Sequence, residues 1–258
     1  MDLKNLTTLS VRVAHPICYI KFNREKSSNA INQTLISEFH KTLDYCEDKV
    51  TIIVIEGSPA AFCVGMDFKD MIENIIASDS IPDDAAPLFT LWQRLAEGPF
   101  ITISHLEGKV NAGGIGFVSA SDIVISRPDV TFSLSEMLFG LIPACVLPFL
   151  NQRVGEKRSA YMAMTTWPLG AKKMYEWGLV DHIDAQSNRA LGKHLSRVSK
   201  ISKTAIIQLK TISKQLRSDN YEDHISFATN LNRAVFSNKD NLENIRRYVD
   251  HGLLPWEK

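Results

Sequence analysis

The sequence predicts an α/β fold followed by a helical C-terminal region, and three observations indicate it. The chain has 258 residues, of which 45% are hydrophobic and 22% are charged, so it contains enough apolar material for a sizeable core. Short runs of β-branched residues alternate with helical patterns through the first half of the chain. After Pro143 nearly every pattern is helical. We therefore expect one α/β core with a smaller helical region after it.

The first elements form a unit in which strands and a helix alternate. Residues 9–22 alternate apolar and polar side chains, which predicts two short strands with a turn at His15-Pro16. Residues 31–44 carry apolar side chains at helical spacing and predict an amphipathic helix. Residues 51–55 are a continuous β-branched run, which is typical of a strand buried on both faces of a sheet.

The rest of the chain repeats strand, glycine-containing loop and helix, and then becomes helical. The predicted strands are 100–104, 122–126 and 131–133, and the predicted helices are 87–97, 115–121, 148–154, 156–165, 171–177, 190–198, 202–217, 221–236 and 239–250. Residues 78–86 are polar and contain a helix breaker, which predicts a mobile surface loop.

Composition excludes several classes of function. Lys+Arg and Asp+Glu both number 29 and the pI is about 7.0, so no global field would recruit nucleic acid or an anionic membrane. No apolar run is long enough to span a membrane, and a cytoplasmic location is expected. Cys18, Cys46, Cys63 and Cys145 are isolated, which predicts neither a zinc site nor disulfides.

Two glycine-containing turns could hold a developing negative charge. Gly65-Met66 follows a buried segment and precedes a probable helix, and Gly113-Gly114 again lies between a strand and a helix. Free N–H groups at such turns point toward a bound anion, and two facing turns would form an oxyanion hole. The alternative is an ordinary turn in which Asp67 caps the next helix. No GxGxxG or Walker pattern supports nucleotide binding.

Glu136 is a lone acid in an apolar stretch, flanked by Leu134, Met137, Leu138 and Phe139. Desolvation by such neighbours would raise the pKa of its carboxyl toward the range useful for general acid/base catalysis. Taken alone, such an acid is more often a helix N-terminal acid or a salt-bridge partner than a catalytic group.

These segments, in this order, resemble the crotonase superfamily, also called the enoyl-CoA hydratase/isomerase family. The resemblance covers nearly the whole chain. The matching motifs are Phe22-Asn23-Arg24, Asn29-Ala30-Ile31, the GMDFKDM turn at 65–71, Glu107-Gly108, Asp122-Ile-Val, Glu136 with Gly140-Leu-Ile-Pro143, and Ala171, Met174, Gly178, Leu179 and Val180.

The resemblance implies a spiral of repeated ββα units over residues 1–195 and a helical trimerisation region over 196–258, in trimers that often pair into hexamers. It implies no cofactor, because the substrate is carried on the phosphopantetheine of coenzyme A or an acyl carrier protein. The amides of Met66 and Gly113 would bind the thioester oxygen. The other implied substrate-binding residues are Arg24, Phe62, Val64, Asp67, Lys69 and Gly114; Lys69 is equally consistent with a solvated lysine.

One departure from the family pattern narrows the implied reaction. Typical hydratases use two glutamates; one aligns with Glu136, and the other aligns with Gly116. The segments 112–122 and 143–148 most resemble the dehydratase of polyketide β-branching cassettes, which converts hydroxymethylglutaryl on an acyl carrier protein to the methylglutaconyl thioester. Asn111 either orients the substrate hydroxyl or stabilises its turn. The alternatives are a Δ3,Δ2-enoyl-CoA isomerase and a catalytically silent thioester-binding subunit.

Overall fold

The computed structural model of the chain describes residues 3, 5–78, 85–217 and 220–257. The strands are β1 (Leu9–Ala14), β2 (Ile17–Phe22), β3 (Ile52–Glu56), β4 (Ala61–Cys63), β5 (Ile101–Leu106), β6 (Lys109–Asn111), β7 (Ile123–Ser126), β8 (Thr131–Ser133), β9 (Leu169–Gly170) and β10 (His182–Ile183). The helices are α1 (Gln33–Cys46), α2 (Phe68–Ser78), α3 (Ala86–Glu97), α4 (Gly113–Ser119), α5 (Leu147–Val154), α6 (Glu156–Thr165), α7 (Ala171–Trp177), α8 (Ser187–Val198), α9 (Lys203–Leu216), α10 (Tyr221–Phe236) and α11 (Lys239–His251).

The strands form two sheets that wind through the core. Six strands make the larger sheet in the order β1-β2-β3-β5-β7-β10, and four make the smaller sheet in the order β4-β6-β8-β9. The β1–β2 and β8–β9 pairs are antiparallel and the other pairs are parallel. Successive pairs β3–β4, β5–β6 and β7–β8 each place one strand in the larger sheet and one in the smaller. This confirms the predicted α/β spiral of ββα units.

The local signals of the sequence explain the first elements. Asn32 caps α1, because its side chain accepts a hydrogen bond of 3.0 Å from the Leu35 N–H. Leu35, Phe39 and Leu43 lie on the buried face of this helix. The first four residues of β3 are all buried, as the continuous β-branched run predicts.

The C-terminal part of the described chain is helical, as predicted. Helices α9, α10 and α11 follow one another, and α11 packs on α2 and α10. The predicted boundary between core and helical region, after residue 195, falls inside α8. The boundary and the trimerisation role of 196–258 stay predictions. Most of the predicted loop 78–86 lies outside the described residues.

Candidate active site

The first glycine turn follows β4 and leaves one backbone N–H without a protein acceptor. Ile31 forms an isolated parallel bridge with Met66: the Ile31 N–H donates to the Gly65 carbonyl at 2.7 Å, and the Ile31 carbonyl accepts from the Asp67 N–H at 2.9 Å. Gly65 has φ +93°, which favours glycine. The Met66 N–H lies between these two bonds, and in the described chain it donates to no protein group.

The second turn joins β6 to α4 and is strained. Ala112 has φ 49° and ψ −123°, a conformation that a residue with a Cβ rarely adopts. Its N–H donates to the Ser133 carbonyl at 3.0 Å, and its own carbonyl accepts from the Ile115 N–H at 2.8 Å. Gly113 is the first residue of α4, where the N–H has no partner inside the helix. In the part of the chain that the structure describes, the Gly113 N–H donates to no protein group.

The two turns touch each other, as the sequence predicts. A Cβ on Gly65 would lie 2.6 Å from the Ala112 Cβ and 3.1 Å from the Gly113 nitrogen. A Cβ on Gly114 would lie 2.3 Å from the Cys63 carbonyl oxygen. These separations are shorter than side chains tolerate, so the glycines are what allow the two backbones to approach. Two N–H donors in adjacent turns are the arrangement that an oxyanion hole requires.

Glu136 begins a 3₁₀ turn, Glu136–Phe139, after β8. Its Oε2 atom is buried and has no hydrogen-bond partner among the described residues. Burial raises the pKa of Glu136 to about 7, and a hydrogen bond from its own backbone N–H opposes the shift. An unpaired buried carboxyl with this pKa is suited to exchange protons near neutral pH, as predicted from its apolar flanks.

A cavity of about 730 Å³ brings the turns and the acid together. Its wall includes seven of the predicted site residues, namely Val64, Met66, Asp67, Lys69, Asn111, Gly113 and Glu136. Apolar side chains from α3, from the segment after Glu136 and from the C-terminal helices complete it, among them Leu88, Trp92, Phe139, Leu141, Ile142 and Phe236. The cavity is thus an apolar chamber with a few polar groups, typical of a small-molecule site.

Asn111 is held by two serines that sequence reasoning did not identify. Its Oδ1 accepts from the Ser133 hydroxyl at 2.7 Å, and its Nδ2 donates to the Ser135 hydroxyl oxygen at 2.8 Å. The contact between Nδ2 and the Val64 carbonyl, at 3.5 Å, is at the limit of a hydrogen bond. This network fixes the amide at the cavity wall, and it is compatible with both predicted roles of Asn111.

Three predicted substrate contacts do not reach the cavity wall. Phe62 is fully buried, with its ring 5.3 Å from that of Phe22 in an edge-to-face contact. Gly114 is buried under Cys63, as described above. Arg24 is half-buried and donates to Asp67 Oδ2 at 2.9 Å and to the Ala30 carbonyl. Arg24 therefore positions the turn that carries Met66 rather than lining the chamber.

Asp67 has the capping role that the sequence left open. Its Oδ1 accepts from the Asp70 N–H at 3.1 Å in the first turn of α2, while its Oδ2 is bound by Arg24. Both oxygens are therefore engaged, although Asp67 also lines the cavity.

Leu88 and Trp92 of α3 are cavity residues that the sequence did not single out. They stand four residues apart, so they share one helix face. That spacing is typical of the buried face of an amphipathic helix. Nothing in the pattern separates a side chain that faces a chamber from one that faces the core.

The described residues contain neither a membrane-spanning helix nor a group of metal ligands. No helix there is long and apolar enough to cross a membrane. No group of three or more His, Cys, Asp or Glu side chains there is arranged to hold a metal ion. The four cysteines are free and buried, as expected of small apolar residues.

The spiral fold defines a crotonase-fold enzyme, a class that acts on acyl thioesters. The sequence profile of the enoyl-CoA hydratase/isomerase family matches residues 12–258, and the chain belongs to this family. It is an enzyme of the hydratase/dehydratase class.

Similar proteins indicate a narrower group of enzymes within this family. The bacillaene synthase dehydratase PksH of Bacillus subtilis is 44% identical over 260 residues, which span 100% of this chain and 99% of that protein. Mevalonyl-coenzyme A hydratase SIDH of Beauveria bassiana is 28% identical over 178 residues, or 65% of this chain and 63% of that protein. The crystal structure of a polyketide biosynthesis enoyl-CoA hydratase (PksH) from Bacillus subtilis has a TM-score of 0.93 and 42% identity, covering 96% of this chain and 99% of that one.

Proposed function

We propose that this protein dehydrates hydroxymethylglutaryl, carried on an acyl carrier protein, to the methylglutaconyl thioester during polyketide β-branching, with release of one water. The observation that carries the proposal is the Glu136 carboxyl, whose Oε2 has no hydrogen-bond partner among the described residues, in the same chamber as the amides of Met66 and Gly113. The relative at 44% identity is named as a dehydratase of bacillaene synthase, which supports the same direction of chemistry and the same pathway class.

Glu136 would carry out both proton transfers of the reaction. Two carboxylates among the described residues line the chamber: Asp67 is engaged by Arg24 and by the α2 backbone, whereas Glu136 Oε2 has no partner there. As a carboxylate, Glu136 would remove the α-proton. Once protonated, it would give that proton to the departing β-hydroxyl, which leaves as water. One acid/base suffices if both groups lie on the same face of the substrate.

The free N–H groups of Met66 and Gly113 would stabilise the enolate that this proton removal creates. Thioester α-protons are weakly acidic, so the negative charge on the carbonyl oxygen must be stabilised, and one oxyanion donor contributes about 3 kcal/mol. Asn111 lies at the same wall, and its fixed amide could orient the β-hydroxyl.

Three exposed lysines fit the carrier group. Lys26, Lys69 and Lys109 line the chamber. Lys69 is 76% exposed, and its distance of 4.0 Å from Glu73 marks a weak ion pair. A lysine binds a phosphate as a point charge. The phosphate of a pantetheine arm, or an acidic surface of a carrier protein, would therefore be attracted to these residues.

The proposal is tested with two substrates. Hydroxymethylglutaryl on an acyl carrier protein should lose the mass of one water, measured by mass spectrometry of the intact carrier protein. A 3-enoyl-CoA should give little conjugated 2-enoyl absorbance. Conjugation of the 3-enoyl-CoA without dehydration of the first substrate would instead identify an isomerase. Tight thioester binding without turnover of either would identify a silent binding subunit.

The pKa of Glu136 predicts the same pH dependence for the two directions of the reaction. Dehydration begins with the carboxylate, which removes the α-proton, so its kcat/KM should rise as pH increases through about 7. Hydration of the methylglutaconyl thioester also begins with the carboxylate, which takes a proton from the attacking water, so its kcat/KM should rise through about the same pH. Initial rates between pH 5.5 and 8.5 measure both limbs. A kcat/KM for dehydration that stays flat or falls across this range would rule out Glu136 as the group that titrates.

A further inference from the structure

The indole of Trp92 covers the face of α4 next to the Gly113 amide. A Cβ on Gly116 would lie 2.4 Å from Cζ2, 2.5 Å from Cε2 and 2.7 Å from Cη2 of Trp92. A Cβ on Gly113, one helical turn earlier, would lie 3.8 Å from the same Cζ2. Positions 113 and 116 share a helix face. A side chain at 116 would thus project beside the candidate oxyanion hole, where the indole now lies.

Trp92 is fixed in this place by aromatic neighbours and by its helix. The exposed fraction of its side chain is 1%. Its rings meet Phe117 and Phe149 edge to face, with centroid distances of 5.9 Å in both pairs. Helix α3 is tied to α1, since Arg94 donates to Asp44 at 2.6 Å. A side chain at 116 would therefore have to displace the indole from its aromatic neighbours.

The same wall is poorly suited to hold a bound water. Trp92 Nε1 is buried and has no hydrogen-bond partner among the described residues, so no acceptor there lies within reach of this nitrogen, and its N–H could offer a water one hydrogen bond only. Gly116 itself has no side chain, and Trp92 lines the chamber. A water needs two or more polar partners to be held in such a site.

We propose that Trp92 is a specificity-determining residue that restricts this site to one carboxylate. Its indole holds the volume that a second carboxylate at position 116, and the water bound by it, would need. The inference rests on the proposed function, because it concerns how a thioester site uses one acid instead of two. Removal of the indole should make position 116 available to an acid and open the site to hydration of simple enoyl thioesters.

Two double-mutant cycles test this proposal, built from Gly116→Glu with Trp92→Ala and Gly116→Ala with Trp92→Ala. In the natural background both substitutions at 116 should lower the unfolding midpoint, because even a methyl group meets the rigid indole. With Trp92→Ala most of that loss should disappear. Gly116→Ala adds no charge and keeps the cycle interpretable if Gly116→Glu alone does not fold.

Hydration of crotonyl-CoA is the functional readout. The pair Trp92→Ala/Gly116→Glu should hydrate crotonyl-CoA at least about tenfold faster than the natural protein and either single variant, since acid/base groups contribute about 10²-fold or more. Its pH profile should be bell-shaped, because two carboxyls now titrate. Leu88→Ala/Gly116→Glu is the matched control: it enlarges the chamber one turn away on α3, leaves the indole in place and should gain nothing.

Additive changes in the unfolding midpoint would overturn the steric claim. A folded double variant that hydrates crotonyl-CoA no faster than Trp92→Ala alone would overturn the functional claim. Neither measurement uses hydroxymethylglutaryl. Failure of the natural protein to dehydrate that substrate would therefore count against the proposed function alone.

Discussion

Replacement of Glu136 by glutamine is expected to reduce dehydration of hydroxymethylglutaryl on its carrier protein by between about 10²- and 10⁴-fold. Glutamine keeps the shape of the side chain but can neither remove the α-proton nor protonate the leaving hydroxyl. Binding should change little, because Oε2 makes no hydrogen bond with the described residues that the substitution would break. Single-turnover mass spectrometry measures the loss, and titration of a non-hydrolysable thioester analogue measures binding.

The stability of the same variant provides the control for folding. The pKa of Glu136 is raised by burial from 4.5 to about 7, so the folded state holds its proton more tightly than the unfolded state. This contribution is fully present below pH 4.5 and is lost as pH rises through 7. Glu136→Gln should therefore increase the free energy of unfolding at pH 8 by up to about 3 kcal/mol, and not at pH 4. A variant that is stable yet keeps full turnover would exclude Glu136 as the acid/base.

Replacement of Gly113 by proline is expected to lower kcat by between about 10²- and 10³-fold, the effect of removing one oxyanion donor. Gly113 is the first residue of α4, the helix position that best tolerates proline. The substitution therefore removes the Gly113 N–H without breaking a hydrogen bond inside the helix. Steady-state kinetics measure the loss, with circular dichroism as a check on helix content.

Gly113→Ala is the matched control for the proline variant. It introduces a Cβ that would lie 2.9 Å from Ile31 Cδ1, the movable end of a side chain, but it keeps the N–H. The alanine variant should lose much less activity than the proline variant. Equal losses in the two variants would mean that the added carbon, and not the missing N–H, is responsible.

Much of the fold could be predicted because its signals are local. The β-branched run of β3 and the cap at Asn32 need no knowledge of the rest of the chain. The smaller sheet was not predicted as a sheet. Strand β8 was predicted at 131–133, but β4 and β6 have three residues each and β9 has two, which is too short for alternation to be recognised.

The candidate site was predictable where its chemistry requires a particular residue type in the sequence. Glycines at 65 and 113 and an acid among apolar residues at 136 are visible in the sequence. Gly113 and Glu136 line one chamber, and Gly65 lies in the turn against Ala112 and Gly113. The roles of Ala112 and Trp92 could not be predicted in this way. The strain at Ala112 depends on bonds to Ser133 and Ile115, and the role of Trp92 depends on which helix faces it.

The bridge between Ile31 and Met66 has a consequence for how the protein is synthesised. The candidate oxyanion hole is assembled from three stretches distant in the chain: the lead-in to α1, the turn after β4 and the start of α4. Such long-range contacts form only after the loops between them have closed. A nascent chain that emerges no further than α3 contains one amide of the pair without its counterpart. Thioester binding should therefore appear late on the ribosome, in one step.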